Sequence, residues 1–245
     1  MKTVKISALA LAMMGIFATS ANAQSAKANA WEGAYGQVSV GYAQFTPKIG
    51  NGTTTQQLPS PPFPAGSTAN VTASGNNVNT GTANLSAGYN FGINADYILG
   101  IGASYYPGAS SSSTASFTFT NPISGGPLAA PGQATYNVKN LYSIYLSPGY
   151  VIDKDRLAYL KVGYTGATIG LNGPTLAYST VGLTGYNLGL GYKQMVTQSL
   201  YVLGEFNYAS FSNKTATVTQ TTGVSLTAPF GGTGYDFLVG VGYRF

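Results

Sequence analysis

The chain has no histidine and no cysteine, and only 7% of its 245 residues carry charge. Each shortage removes a class of chemistry. Without cysteine there is neither a disulfide framework nor a thiolate metal site. Without histidine, general acid–base work loses the side chain whose unperturbed pKa lies nearest neutrality. Hydroxyls abound, but a serine or threonine with no base beside it is a poor nucleophile. The net charge of +5 includes Lys2 and Lys5 at the extreme N-terminus, and so weak an excess does not suggest nucleic acid. Long apolar runs are also missing. After residue 23 nothing approaches the roughly 20 residues that a helix needs to cross a bilayer. No enzymatic activity, no metal and no cofactor are expected.

What is present begins with an export signal. Lys2 and Lys5 precede an apolar stretch from Ile6 to Phe17, and Ala21-Asn22-Ala23 supplies the small-x-small pattern of a cleavage site. The apolar stretch is too short to anchor the chain. Residues 1–23 therefore read as a cleaved signal peptide, 24–30 as a short N-terminal segment, and 31–245 as a single domain.

Within that domain, apolar and polar residues alternate with period two about eight times. Val38, Val40 and Tyr42 oppose Gln37, Ser39 and Gly41; Leu85, Ala87 and Tyr89 oppose Asn84, Ser86 and Gly88; Tyr235, Phe237, Val239, Val241, Tyr243 and Phe245 oppose Asp236, Gly240, Gly242 and Arg244. The last segment spans ten steps, ~33 Å of strand, which a tilt of ~40° reduces to ~25 Å, the height of a barrel's lipid belt. Its apolar face ends in aromatics, and the other face is polar and glycine-rich. Connections alternate short with long: a few residues at 92–96, 153–156 and 196–199, against 46–80, 107–135, 172–184 and 212–234. That asymmetry separates periplasmic turns from extracellular loops. The expected fold is all-β: an eight-stranded antiparallel transmembrane β-barrel in a Gram-negative outer membrane. Pro148 has no N–H to give a ladder, so a bulge or strand end is expected near it.

The stretches Tyr35 to Tyr42 (YGQVSVGY), Tyr145 to Ile152 (YLSPGYVI), Tyr159 to Tyr164 (YLKVGY), Tyr186 to Tyr192 (YNLGLGY) and Gly240 to Phe245 (GVGYRF) resemble the OmpA-like, Omp-porin superfamily of small outer-membrane barrels. The resemblance covers nearly all of the exported chain. It implies that Tyr243 and Phe245 form a C-terminal signal read by the barrel-assembly machinery, with periplasmic chaperones and outer-membrane lipid, lipopolysaccharide included, as partners. Enzymes built on such barrels, among them lipid A acyltransferases, lipid A deacylases, phospholipases and omptin proteases, rely on a histidine that this chain lacks.

An eight-stranded lumen is just wide enough to be filled by side chains, so inward charges must pair or stay hydrated. Lys139, Lys161, Lys193, Glu205, Asp236 and Arg244 all fall on the inward phase. Glu205 is the expected hub of an ion-pair cluster, with Lys161, Lys193 and Arg244 as its partners. Inward glycines (Gly41, Gly88, Gly100, Gly102, Gly163, Gly189, Gly191, Gly240 and Gly242) leave room for water or serve the curvature of a small barrel. The long loops are nearly uncharged and rich in Ser, Thr, Asn and Pro. Lys48, Lys139 and Lys214 are the only cations there to meet lipopolysaccharide phosphates. Thr114 to Thr120 and Thr215 to Leu226 alternate like strands, so the barrel is expected to extend above the membrane, with edges open to a second copy or a surface receptor. The functions that follow are a structural, envelope-integrity and surface-interaction role; alternatively a narrow porin or OmpW-like channel for small solutes; and, third, an adhesin acting through the uncharged loops.

Overall fold

The computed structural model describes residues 29–59, 62–121, 123–127, 132–174, 176–220 and 223–245. The expected signal peptide and most of the short segment after it lie outside the described residues. Eleven strands form one sheet: β1 (Gly33–Ile49), β2 (Gly52–Gln56), β3 (Thr68–Gly75), β4 (Val78–Gly92), β5 (Tyr97–Ala109), β6 (Ser113–Phe119), β7 (Gly132–Asp153), β8 (Arg156–Gly173), β9 (Leu176–Met195), β10 (Leu200–Thr219) and β11 (Val224–Arg244). The eight long strands β1, β4, β5, β7, β8, β9, β10 and β11 pair antiparallel in that order, and β11 returns to β1 with Tyr35 opposite Arg244 and Ile49 opposite Phe230. The sheet closes on itself through β11 and β1, leaving no free edge strand, although one stretch of β4 at the upper rim lacks a ladder partner on one side.

The short strands continue the long ones upward: β2 prolongs β1, β3 leads into β4, and β6 prolongs β5. Between them they bridge β11 and β7 above the membrane, through the pairs β11–β2, β2–β3, β3–β6 and β6–β7. The segments expected to alternate like strands above the bilayer do so, but their edges pair with one another within this upper ring. The open edges expected there are largely used up.

Outward side chains of the lower ring are the apolar ones read from the alternation: Val40, Leu160, Phe237 and Val239 are all more than half exposed in the lipid-free molecule. Inward positions are polar, including Gln37, Ser39, Asn84, Thr165, Asn187 and Glu205. Above the membrane this logic inverts. On β8 the same inward phase passes from Tyr159, Lys161 and Thr165 to Ala167, Ile169 and Leu171. The upper ring buries Phe45, Val71, Val78, Phe117, Tyr136, Leu183, Phe211, Val218, Leu226 and Phe230 in one apolar cluster. The cause is the surrounding medium: where the outside is water, burying apolar surface stabilises the wall; where it is hydrocarbon, that gain disappears. Leu183→Ala should therefore destabilise the upper ring by about 2–5 kcal/mol, seen as faster amide exchange at Val181 and Phe211 with exchange in the lower ring unchanged.

Two register expectations are corrected. The alternation runs through Pro148, whose partner is Leu99, without a shift. Its missing N–H causes no bulge. The register of β7 against β8 shifts between Lys139 and Tyr142, where Asn140 takes a positive φ of 50°, and again next to the turn, between Val151 and Asp153. The extra residue at Asn140 exchanges the faces above it, so Val138 packs against the apolar cluster and Lys139 leaves the lumen.

Candidate functional site

The site is best built from the periplasmic end upward. Asn29 donates through Nδ2 to the carbonyls of Asn94 (3.0 Å) and Ala95 (2.9 Å) in the β4–β5 turn, and Asn90 Nδ2 donates to the Trp31 carbonyl (3.1 Å). These bonds tie the N-terminal residues across the barrel's lower end. Trp31 is 1% exposed and meets the edge of Tyr201 at 5.9 Å between ring centroids. Ile98, Val151, Leu157, Tyr159 and Leu203 complete this apolar floor.

Above it, Glu205 of β10 accepts from Lys161 Nζ at 2.7 Å and from Gln37 Nε2 at 3.1 Å, while Gln37 Oε1 accepts from Tyr201 Oη at 3.1 Å. Lys161 also stands 4.1 Å over the Tyr145 ring. Lys193 approaches no carboxylate within ion-pair distance among the described residues. It lies among three tyrosine rings, 4.1 Å from Tyr35, 4.9 Å from Tyr201 and 5.0 Å from Tyr159, so the ring quadrupoles replace part of its lost hydration. Tyr35 and Tyr145 meet hydroxyl to hydroxyl at 3.3 Å.

Lys161, Lys193, Glu205 and Asp236 thus share the inner face, and two of the six expected residues do not. Arg244 sits at the periplasmic rim, donating to the Gln198 carbonyl at 2.7 Å. Lys139 donates to Tyr178 Oη at 3.3 Å, close to that exposed ring. Tyr243 and Phe245 stack edge to face at 5.0 Å on the outer surface. The inward glycines are also accounted for. Tyrosine rings lie against four of them, Tyr35 on Gly88, Tyr35 and Tyr145 on Gly102, Tyr159 on Gly191 and Tyr201 on Gly242, while Gly41, Gly163 and Gly240 meet the backbone of a neighbouring strand and Gly100 and Gly189 meet polar side chains. At these four positions, room read from the sequence as available to water is taken by tyrosine rings. The signal was present as tyrosines on the inward phase facing glycines on neighbouring strands, but it carries no obvious role until the strands are wrapped.

The barrel wall is interrupted at one level. β4 pairs with β5 from Gly92 opposite Ile98 up to Leu85 opposite Tyr105, and there the ladder stops. It resumes between β3 and β6, with Gly75 opposite Ala115, in the same register. Between these limits β4 from Val78 to Asn84 has β1 on one side and no backbone ladder on the other. Pro107 explains the break, since it has no N–H to donate, and Gly108 follows with φ of 92°, a conformation suited to glycine that turns β5 away. The register of β5 against β7 shifts at the same point, between Tyr106 and Ala109. Asn76 N–H donating to the Thr114 carbonyl, at 3.0 Å, closes the top.

The result is a slot of ~20 Å along β4, placed at the upper row of outward tyrosines that includes Tyr42, Tyr142, Tyr164 and Tyr186. That row marks the membrane–water interface. A cavity of about 130 Å³ lies behind the slot, walled by Phe45, Val78, Leu141 and Phe211, with Asp236, Asn187, Asn207 and Lys161 at its base. Pro107→Val combined with Gly108→Val should extend the β4–β5 ladder and slow amide exchange at Gly81 and Ala83 by about tenfold, the equivalent of one added hydrogen bond.

The family model described as "Outer membrane protein beta-barrel domain" matches residues 9–245. The chain belongs to this outer-membrane β-barrel family. It is a protein of the Gram-negative outer membrane, and its closed lower ring is that family's transmembrane unit. Comparison with curated proteins finds no sequence match. Among solved structures it is similar to the outer membrane protein OprG of Pseudomonas aeruginosa, at 12% identity over 89% of this chain and 99% of that one, with a TM-score of 0.52. It is also similar to Ail of Yersinia pestis (16% identity, 87% and 99% covered, TM-score 0.42) and to the outer membrane protease OmpT of Escherichia coli (12%, 88% and 97%, TM-score 0.45). The likeness to OprG speaks for the fold alone.

Proposed function

We propose that this outer-membrane barrel is a side-opening conduit, passing small apolar solutes from the outside into the outer leaflet of the membrane. The interrupted ladder between β4 and β5 carries the reading. Three cavities stand in line towards it, the upper two lined mainly by apolar side chains. At the mouth a cavity of about 270 Å³ is lined by Phe117, Phe119, Leu171, Val218, Leu226 and Phe230. A waist of about 20 Å³ follows between Phe45, Tyr136, Ile169 and Leu183, and then the cavity behind the slot. An apolar molecule stays largely out of water in the upper two cavities, where an ion would lose its hydration and meet no charged side chain. Below the slot the ion pair, the tyrosines and Trp31 occupy the lumen, so the easier exit is sideways. The envelope-strengthening role is compatible with this, because the lower ring is closed. A narrow porin would need the packed floor to open.

The test uses refolded protein in lipid bilayers. Planar-bilayer recordings should show no steady current above bare lipid. Transfer of an apolar fluorescent probe from water into vesicles should be accelerated several-fold by the protein. Ion conductance by the wild-type barrel, or probe transfer no faster than into protein-free vesicles, would sink the proposal.

A further inference from the structure

The cavity behind the slot holds one carboxylate without a counter-ion. Asp236 lines it and is 7% exposed. Its oxygens accept from Asn207 Nδ2 at 2.8 Å and from Tyr106 Oη at 2.9 Å, both neutral donors. The ion pairs among the described residues, Lys161 with Glu205 and Arg156 with Asp153, leave it out. Two neutral hydrogen bonds do not replace the hydration of a charge, and an ionisable side chain held inside a membrane protein without an ionic partner is costly. Its place in the fold ties it to the slot. Ala43 of β1 pairs with Asp236 of β11 on one side and with Thr80 of β4 on the other, so the carboxylate stands in a hydrogen-bonded row of the slot, two strands from it. From the slot's other edge comes Tyr106, the last residue of β5 before Pro107.

We infer that Asp236 anchors a binding site for an alkylammonium amphiphile: a protonated amine carrying an apolar body. The charge selects the class. In a cavity of low dielectric a carboxylate gains from a cation what neutral donors do not give it, whereas an alcohol adds only a third neutral bond and an anion is repelled. The lysines on the lining are engaged elsewhere: Lys161 is held by Glu205 at 2.7 Å, and Lys139 turns to Tyr178 outside the lumen. A phosphate therefore finds no free cation beside Asp236, which sets a phospholipid head apart from a simple amine. The hydroxyl oxygens of Thr80, Thr82 and Ser104, on the same lining, offer further acceptors to the ammonium protons. The slot opens at the aromatic row, the depth of the head groups in a bilayer. An amphiphile in the outer leaflet thus reaches the carboxylate sideways, with its tail still in lipid. The site rests on the conduit reading for the slot as an opening, but not for its chemistry.

The test is a titration of the full chain, refolded in nanodiscs of zwitterionic lipid at neutral pH, with decylamine, 1-decanol and decanoate, empty nanodiscs giving the partition blank. The ¹⁵N-labelled side-chain amide of Asn207, which donates to Asp236, is the reporter. Decylamine should shift it saturably and bind about tenfold more tightly than decanol, the margin of a charged over a neutral hydrogen bond. Decanoate should leave it in place. Asp236→Asn should weaken decylamine binding by about tenfold or more. The decylamine–decanol contrast in the wild-type barrel needs no variant, so it holds even if Asp236→Asn fails to fold. Equal affinity for decylamine and decanol would overturn the proposal, and so would a folded Asp236→Asn barrel that binds decylamine as the wild type does. Absent decylamine shifts together with rapid transfer of the apolar probe remove the ammonium site and leave the conduit. Saturable decylamine shifts with no probe transfer keep the site and remove the conduit.

Discussion

Replacing Glu205 by alanine is expected to destabilise the barrel by about 3–5 kcal/mol, the cost of leaving a buried charge without its partner. The side chains of Lys161 and Glu205 are 4% and 1% exposed, and their 2.7 Å contact is the only ion pair in the lumen among the described residues. Removing the carboxylate strands Lys161 against the Tyr145 ring and frees Gln37 Nε2. The loss should appear in urea unfolding of the vesicle-inserted barrel and as a lower temperature for its mobility change on gels. The double replacement Lys161→Met with Glu205→Leu should recover most of it, because taking out both charges leaves neither to be solvated. If Glu205→Ala unfolds at the wild-type urea concentration, the cluster is hydrated and does not hold the lumen together. A contrasting pair lies at the β7–β8 turn, where Arg156 meets Asp153 at 2.6 Å in solvent. The Asp155 backbone N–H, and then Arg156, hold the Asp153 carboxyl below its usual range. With the folded value depressed, its contribution is present above the unfolded carboxylate pKa and fades as pH falls through the folded one. Since the group is exposed, Asp153→Asn should leave unfolding at neutral pH unchanged.

The second large effect concerns the slot. Thr82 lies on the unpaired part of β4 and lines the cavity behind it. The chain has no cysteine, so Thr82→Cys introduces a unique thiol. Coupling it to a bulky maleimide should fill the cavity and cut transfer of the apolar probe by about tenfold or more, equivalent to at least 1.4 kcal/mol on the rate-limiting passage. The same protein before labelling serves as the folding control. Thr217→Cys, on the exposed face of the upper ring, should tolerate the same label without loss. Undiminished transfer through the blocked Thr82 variant would place the exit elsewhere.

The outward faces of the long strands are read correctly from the alternation, except on β7 above Asn140, because period two is a property of the strand itself. Side chains at Val38, Leu160 and Phe237 must point away from those at Gln37, Lys161 and Asp236, whatever the strands pair with. The short turns were legible for the same local reason. The alternation also placed Tyr145, Tyr159 and Tyr201 inward, but it could not say that each would lie on a glycine directly opposite it on the neighbouring strand. It could not foresee the loss of phase at Asn140 either, since a positive φ in one asparagine leaves no mark on the pattern before it. Pro148 and Pro107 make the point together. Both lack an N–H; at Pro148 the ladder to β8 skips two pairs and resumes in the same register, whereas at Pro107, followed by a glycine at positive φ, β5 turns away from β4.

The amino-acid order by itself determined the class of solvent on each side of the wall: hydrocarbon against the aromatics and valines, and a polar interior behind them. Closure determined everything that depends on which strand meets which. Glu205 reaches Lys161 across 44 residues and Gln37 across 168, and the slot exists only because β4 and β5 separate at one height and rejoin at another. Such contacts are set by the stagger of a closed cylinder, a global quantity that no single strand records.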